Sequence, residues 1–205
     1  MKGLNFIELK DLSFGYKKEN IVINNINLKI DKDEVTTIIG PNGSGKTTLG
    51  KLMMGILKAT RGEVYISNKN VAEMALAQVG FNVGYLFQNP EKHFFANTVD
   101  DELGFILRLR GFNDSFVANR IEEMLRLFQL EGLKKSSPLL LSQGEKQRLA
   151  IASILINEPK YLILDEPTTG LDLERKKLLI GLLKELRKEG IGMTIISHDH
   201  SFIEQ

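Results

Sequence analysis

The sequence of 205 residues contains no cysteine. Without thiols the chain can form neither disulfides nor thiolate metal sites, and this composition fits a cytoplasmic setting. It also lacks a charge excess, because 27 basic residues stand against 26 acidic ones. A chain this close to neutral has no basic field to attract a phosphate backbone, so the composition predicts no nucleic-acid partner.

Long apolar runs are missing as well. No stretch of about eighteen apolar residues occurs, and the opening MKGLNFIELK lacks the apolar core of a secretory signal. We therefore expect a chain that does not cross a membrane alone but could bind a partner that does. Its length and its 42% of hydrophobic residues suit one core with a modest appended subdomain.

The hydrophobic pattern predicts strands and helices in alternation. Residues 5–40 contain the strand-like segments FIELKDLSF, IVINNINLKI and EVTTIIG. The segment KTTLGKLMMGILKA predicts a helix that begins at Lys46 and ends near Arg61, and the strand EVYIS follows. Residues 97–141 have helical spacing, and beyond them come the helix LAIASILINEP, the strand YLILDEP, the helix ERKKLLIGLLKELRKEG and the strand GMTIISHD. This order predicts an α/β fold with a parallel sheet covered by helices.

Residues 40–48, GPNGSGKTT, match the phosphate-loop pattern G-x-x-x-x-G-K-[ST] between a predicted strand and a predicted helix. Glycines there let successive N–H groups face a phosphate chain, and the helix adds its positive end. Lys46 can reach the β and γ oxygens, and the Thr47 hydroxyl can bind magnesium. The alternative, a glycine turn that happens to match, is expected on the order of one per cent of the time. The predicted nucleotide-binding residues are Gly40, Pro41, Asn42, Gly43, Ser44, Gly45, Lys46, Thr47 and Thr48.

Two acids end the predicted strand YLILDEP. Because ligands gather at the carboxyl ends of parallel strands, Asp165 can hold magnesium through water. Glu166 points to the other side of the strand and can deprotonate an attacking water. The alternative, that these acids cap the following helix, is weakened by the phosphate loop in the same chain. His198 ends another predicted strand, where it is either a surface histidine or a hydrogen-bond donor to a γ-phosphate.

Six motifs in this order, GPNGSGKTT, FQNP, LSQGEKQR, YLILDEP, TTGLD and SHD, resemble those of the nucleotide-binding subunit of ABC ATPases. The resemblance covers nearly the whole chain. It implies a P-loop NTPase fold of ABC ATPase type, with a mainly parallel sheet core, an N-terminal antiparallel β-subdomain and a helical subdomain. It further implies one domain over residues 1–205, with the core and β-subdomain at about 1–96 and 142–205, the helical subdomain at about 97–141, and the usual C-terminal elements missing.

The same resemblance implies an ATPase that uses ATP and Mg²⁺ to power a membrane transporter from the cytoplasmic face of the membrane. Its implied partners are a transmembrane subunit and a second ATPase subunit, like or unlike, that faces it head to tail. Ser142 and Gly144 would then contact the γ-phosphate of ATP bound to that second subunit. Ser142 and Glu145 also fit a capping box, and both interpretations can hold together.

Further roles are carried over residue by residue. Tyr16 would stack on adenine, although a tyrosine at a strand end can also be half-buried packing. Gln88 would bind magnesium and sense the membrane partner, with a plain loop amide as the alternative. Asp172 would reach across the dimer. The motif LSQGEKQR corresponds to the signature of the family, Leu-Ser-Gly-Gly-Gln, but departs from it at Gln143 and Glu145, which place larger or charged groups beside an anionic ligand.

The segment FQNPEKHFFANTVDDELGF resembles that of energy-coupling-factor and cobalt-type uptake ATPases, which power the import of vitamins and metal ions. His93 stands where that group has glutamine. The FF pair is either a docking surface for a transmembrane partner or core. Two other functions stay open at this point: a soluble ABC ATPase that acts on DNA or ribosomes, and a non-hydrolysing regulatory partner.

Overall fold

The computed structural model of the chain describes residues 5–17, 19–199 and 202. The first four residues of MKGLNFIELK lie outside the described residues, as does the chain end SFIEQ apart from Phe202. In chain order the strands are β1 (Asn5–Lys17), β2 (Asn20–Asp31), β3 (Val35–Ile38), β4 (Arg61–Ile66), β5 (Lys69–Asn70), β6 (Val83–Leu86), β7 (Tyr161–Asp165) and β8 (Gly192–Ile196). The helices are α1 (Lys46–Met53), α2 (Leu76–Gly80), α3 (Val99–Leu109), α4 (Asp114–Leu127), α5 (Gln143–Leu155) and α6 (Leu173–Lys188).

The strands form two sheets of different kinds. An antiparallel sheet has the order β2-β1-β4-β5, and a parallel sheet has the order β3-β8-β7-β6. The alternating segments of residues 5–31 supply the long antiparallel pair, in which Ile7 lies opposite Ile30 and Leu9 opposite Leu28. The parallel sheet confirms the α/β fold expected from the strand and helix order.

Strand β7 is buried along its whole length and separates two hydrophobic clusters. Leu162 and Leu164 pack into the cluster that contains the helical segment and α5. Tyr161 and Ile163 pack into the other cluster, together with α1 and the antiparallel sheet. Because side chains alternate along a strand, this one segment contributes to the cores on both faces of the parallel sheet.

Helix α1 is shorter than predicted. It was expected to run to about Arg61, but it ends at Met53. Gly55 follows with a φ of +70°, and its N–H donates to the carbonyl of Leu52 at 3.0 Å while the N–H of Ile56 donates to that of Lys51 at 3.0 Å. These two bonds form a Schellman motif, which ends the helix and turns the chain toward β4.

The helical segment between residues 97 and 141 was predicted correctly as helix. Thr98 caps α3 and Asn113 caps α4, each accepting a bond from the backbone N–H of the third residue of its helix.

Strand β6 had no predicted counterpart, because its residues VGYL are all buried and show no alternation. The division into subdomains stays a prediction. No helix in the described part of the chain combines the length and apolar character needed to cross a membrane.

Candidate functional site

The phosphate loop connects β3 to α1. Gly45 precedes the helix with a φ of +91°, and a Cβ there would lie 3.0 Å from Val22 Cγ1. Glycine is therefore required both by the backbone angle and by the close approach of β2. Lys46 lies under the loop, where its Nζ donates to the carbonyls of Gly40 at 2.8 Å and Pro41 at 3.1 Å. The lysine ammonium is thus held at the centre of the loop.

Asp165 lies directly beneath the loop at the end of β7. Its carboxylate accepts one bond from Thr47 Oγ1 at 3.0 Å and another from the Tyr85 hydroxyl at 3.1 Å. Burial raises the pKa of Asp165, and the bonds from Thr47 and Tyr85 oppose that shift. Burial beside Asp165 also raises the pKa of Tyr85, so the phenol stays a donor.

The oxygen atoms around Asp165 suit a magnesium ion. A Thr47 hydroxyl that donates its proton to Asp165 keeps its lone pairs for a cation, and Asp165 supplies a hard carboxylate oxygen. Gln88 adds an amide that lines the same pocket as Thr47. Within the described ranges no three His, Cys, Asp or Glu side chains gather as a metal site. Mg²⁺ does not need such a cluster, because it usually binds one or two protein oxygens, substrate phosphates and water.

Glu166 has an unusual backbone for a non-glycine residue, with a φ of +51°. Its N–H donates to the carbonyl of Ile196 at 2.8 Å, which ties the turn to the end of β8. Its carboxylate lies 2.7 Å from His198 Nδ1 and accepts a longer bond from Ser197 Oγ at 3.4 Å. A left-handed non-glycine residue costs about 1–3 kcal/mol, and such strain clusters at functional sites.

A cleft of about 450 Å³ opens above the loop. It brings together ten of the predicted site residues that the structure describes: Tyr16, Asn42, Gly43, Gly45, Lys46, Thr47, Thr48, Gln88, Glu166 and His198. The Tyr16 ring is 59% exposed, and its hydroxyl lies 3.1 Å from Thr48 Oγ1. An open aromatic face beside a phosphate-binding loop fits a flat ring such as adenine.

Seven of the predicted residues do not line this cleft. Gly40, Pro41 and Ser44 belong to the phosphate loop itself and Asp165 is buried beneath it, whereas Ser142, Gly144 and Asp172 lie elsewhere. Ser142 caps α5, where its N–H donates to Glu145 Oε2 at 2.8 Å and its Oγ accepts a long bond from the Glu145 N–H at 3.5 Å. Hydrogen bonds with Ser142 lower the pKa of Glu145. Gly144 lies against Arg175, so a Cβ there would come within 2.8 Å of Arg175 Cδ. The capping box of Ser142 and Glu145 is therefore present at the start of α5, in residues 142–146, which we call the signature turn.

Asp172 lies close to that signature turn. It caps α6, accepting a bond from the Arg175 N–H at 2.9 Å, and its second oxygen lies 3.5 Å from Arg175 Nε. Since Arg175 also packs on Gly144, the starts of α5 and α6 share one surface. This surface is separate from the cleft that holds the phosphate loop.

A second pocket, a groove, lies between α3 and β6. Phe95 and Phe105 lie in it with 61% and 45% exposure and ring centroids 4.4 Å apart. Phe94 instead packs against the core, so the FF pair contains one core residue and one exposed residue. The buried Glu102 holds this segment by accepting bonds from the N–H groups of Phe95 at 3.0 Å and Ala96 at 2.9 Å.

His93 lies in the same groove. Its Nε2 accepts a bond from the Phe87 N–H at 3.0 Å, and burial lowers its pKa to about 4. Sequence reasoning identified the position of His93 but not this contact. It also missed Tyr85, for which the sequence has no local signal, because all residues of its strand β6 are buried and show no alternation.

Comparison with known proteins places this geometry in a family. The profile of the family described as ABC transporter matches residues 23–169. The chain belongs to the ABC transporter family. It is thus an ATP-binding subunit of the ABC type and an ATPase, and its phosphate loop and acidic strand end are those of an ABC ATPase.

Curated relatives agree with this assignment. A putative ABC transporter ATP-binding protein of Pyrococcus furiosus is 44% identical over 197 residues, which cover 96% of this ABC ATPase and 75% of the relative. The energy-coupling factor transporter ATP-binding protein EcfA of Methanothermobacter thermautotrophicus is 41% identical over 201 residues, covering 97% of this chain and 65% of EcfA. These relatives do not favour a role on DNA or ribosomes.

Solved structures confirm the fold. The cbiO1 protein of Clostridium perfringens, described as part of the ABC transporter complex cbiONQ, superposes with a TM-score of 0.83 at 34% identity, covering 95% of this chain and 79% of cbiO1. A dimeric ATP-binding cassette in a post-hydrolysis state, bound to ADP and Pi, gives a TM-score of 0.85 at 28% identity, covering 96% of this chain and 89% of that chain.

Proposed function

We propose that this ABC ATPase hydrolyses Mg-ATP to power uptake of a vitamin or a metal ion through a transmembrane partner, at the cytoplasmic face of the membrane. The names of its relatives support the uptake class, since they include an energy-coupling factor protein and a member of the cbiONQ complex. The exposed Phe95 and Phe105 would form the surface on which the transmembrane partner docks.

ATP would lie in the cleft with its triphosphate in the loop of residues 40–48. Tyr16 would stack on the adenine, and Lys46 would exchange its carbonyl partners for β and γ oxygens. Bound Mg²⁺ would neutralise charge on the phosphates, with Thr47, Asp165 and Gln88 as the residues that hold it directly or through water.

Glu166 would act as the general base. It would take a proton from a water whose oxygen bonds to the γ-phosphorus as the bond to the β–γ bridging oxygen breaks, yielding ADP and phosphate. His198, 2.7 Å from the Glu166 carboxylate, would hold that carboxylate in place and present its ring to the γ-phosphate. The strained Glu166 backbone supports a catalytic role at this position.

The second half of each ATP site would come from another ATPase subunit, like or unlike. Ser142 and Gly144 would bind the γ-phosphate held by the partner, and Asp172 would reach across the same interface. The placement of these residues supports this arrangement, because they lie on a surface of their own and away from the cleft of their own chain. A helix start with free N–H groups is suited to an anion.

The observation that carries the proposal is that Glu166 and His198 share one cleft with the phosphate loop, while Asp165 bonds to Thr47 directly beneath it. The substitution Glu166→Gln should stop hydrolysis but still permit ATP binding, so the protein should accumulate as an ATP-bound dimer in size-exclusion chromatography. Adding Ser142→Ala to this variant should reduce the dimer fraction. The control Glu189→Gln changes an exposed acid at the C-terminal end of α6, away from Asp172, and should behave as wild type. Wild-type turnover by Glu166→Gln would refute the role of Glu166 as base.

A further inference from the structure

Consecutive side chains at the start of α5 reach three different parts of the molecule. These contacts are an ion pair between Lys146 Nζ and Glu91, a bond from Gln147 Nε2 to the Pro167 carbonyl at 2.8 Å, and a bond from Arg148 Nε to the Phe128 carbonyl at 2.8 Å. Successive residues of a helix point about 100° apart, so the three side chains diverge. The start of α5 is therefore attached to the turn after β6, to the turn after β7 and to the end of α4.

Lys146 is the least exposed lysine among the salt bridges found in the described part of the chain. The Lys146 side chain is only 11% exposed, whereas that of Glu91 is 46% exposed. A lysine removed from water to this degree depends on a carboxylate partner, because an unpaired buried charge is costly. Lys146 and Glu91 therefore hold α5 against the residues that follow β6.

Glu91 belongs to a short rigid segment that begins beside the ATP cleft. The Phe87 N–H donates to His93 Nε2 at 3.0 Å, and the Asn89 side chain accepts a bond from the Glu91 N–H at 3.0 Å. The first bond closes the segment around Gln88, which lines the cleft, and the second fixes the backbone at Glu91. A displacement of Gln88 is thus passed on to Glu91.

Lys146 belongs to an equally short rigid turn. Its N–H donates to the Ser142 carbonyl at 2.9 Å, and the capping box between Ser142 and Glu145 fixes the same turn. Ser142 and Lys146 therefore move together. The ion pair therefore connects the segment that contains Gln88, at the cleft of its own chain, with the turn that contains Ser142.

We infer that the Lys146–Glu91 ion pair couples the two ATP sites of the dimer. This rests on the proposed function, in which Gln88 helps to hold the Mg²⁺ of ATP in its own cleft and Ser142 contacts ATP held by the partner. Nucleotide bound at Gln88 would orient Glu91, and Glu91 would orient Lys146 and the Ser142 tip toward the other ATP. Each site would thereby favour nucleotide at the other, and such coupling is reciprocal.

The test is the ATP concentration dependence of hydrolysis by the full chain. Wild type should show a Hill coefficient well above 1, with an upper limit of about 2 for two sites. Glu91→Gln and Lys146→Met should each lower it toward 1, and the double variant should lower it no further than either alone. The exchange of charges in Glu91→Lys with Lys146→Glu should restore much of the cooperativity, which a loss of packing would not allow.

Two controls separate coupling from folding. Lys134→Met breaks another lysine–glutamate pair, with Glu122 in α4, and should leave the Hill coefficient unchanged. Binding of a fluorescent ATP analogue to dilute monomers should be the same in all variants, because the cleft itself is intact.

The outcomes also distinguish the inference from the proposed function. Cooperative hydrolysis that survives both single substitutions in folded protein would overturn the coupling role and leave the proposed function standing. Wild-type hydrolysis without cooperativity would overturn it as well, and the Glu166→Gln dimer would then decide the proposed function separately.

Discussion

At the scale of single residues, Asp165 is proposed to hold magnesium, but its burial is unfavourable for folding with the carboxyl group charged. Burial raises its pKa, so the charged form that a cation needs is the form that the fold disfavours. A carboxyl group with a raised folded-state pKa contributes stability at low pH and loses it as the pH rises through that pKa. Keeping Asp165 charged at neutral pH therefore lowers the free energy of unfolding.

The substitution Asp165→Asn separates these effects. ATP hydrolysis should fall by about 100-fold or more, while the free energy of unfolding at pH 7 should stay the same or rise. Steady-state ATPase assays and urea denaturation measure the two quantities. The exposed Asp33→Asn serves as the matched control, with little change expected in either. A large loss of stability in Asp165→Asn would contradict this explanation.

His93 should make the fold sensitive to acid. Its pKa is lowered from 6.5 to about 4, so the folded protein holds it neutral while the unfolded chain takes up a proton below about pH 6.5. Its contribution to stability is present above that pH and is lost as the pH falls toward 4. His93→Gln keeps an acceptor for the Phe87 N–H but does not titrate, so urea denaturation should show a smaller loss between pH 7 and pH 5 than in wild type.

The variant His93→Ala gives the complementary result. It leaves the Phe87 N–H without its acceptor and should cost about 1–3 kcal/mol even at pH 7. If His93→Gln and wild type lose equal stability on acidification, the histidine is not the titrating group.

At the scale of secondary-structure elements, two glycines in helix interiors should respond oppositely to alanine. Gly181 lies on the exposed face of α6, and a Cβ there would meet nothing within 4 Å. Gly50 lies in α1, where a Cβ would come within 2.8 Å of Ile196 Cδ1 and 3.2 Å of the Tyr85 ring. Gly181→Ala should stabilise the fold by about 0.5–1 kcal/mol, and Gly50→Ala should destabilise it by about 1–3 kcal/mol. Thermal unfolding of both variants tests the pair, and equal shifts would contradict the packing argument.

Elements with a local signal were predicted well from sequence. The helix α6 and the paired strands β1 and β2 each have a clear period, and the phosphate loop is defined by nine neighbouring residues. The end of α1 was wrong because it depends on the left-handed Gly55 and its packing on Val71, not on hydrophobic spacing.

Side-chain pairs between distant segments were beyond prediction. Tyr85 meets Asp165 across 80 residues, and Lys146 meets Glu91 across 55. No local pattern distinguishes these partners from other polar residues, since their pairing depends on how strands and helices pack in three dimensions. The motifs therefore predicted which residues line the cleft, but not which residues hold them there.

At the scale of the whole molecule, a substitution in the groove along α3 should weaken membrane binding without changing ATP hydrolysis. Phe105→Glu places a charge on the exposed groove surface and should release the chain from membranes that contain its transmembrane partner. ATP hydrolysis by the isolated chain should not change, because Phe105 does not line the cleft. Leu127→Glu, on an equally exposed site of α4, is the control and should stay with the membrane fraction. Release of both variants would argue against docking in the groove.

The division of β7 between two hydrophobic clusters decides which contacts each of the two acids makes. Alternation sends position 165 to the side of α1 and the phosphate loop, and the turn at position 166 delivers the next side chain to His198. The two carboxylates consequently cannot trade places. A chain carrying Asp165→Glu with Glu166→Asp would keep its charge and composition. The longer side chain would then face the partner of Asp165 and the shorter one the partner of Glu166, so neither would have the right length.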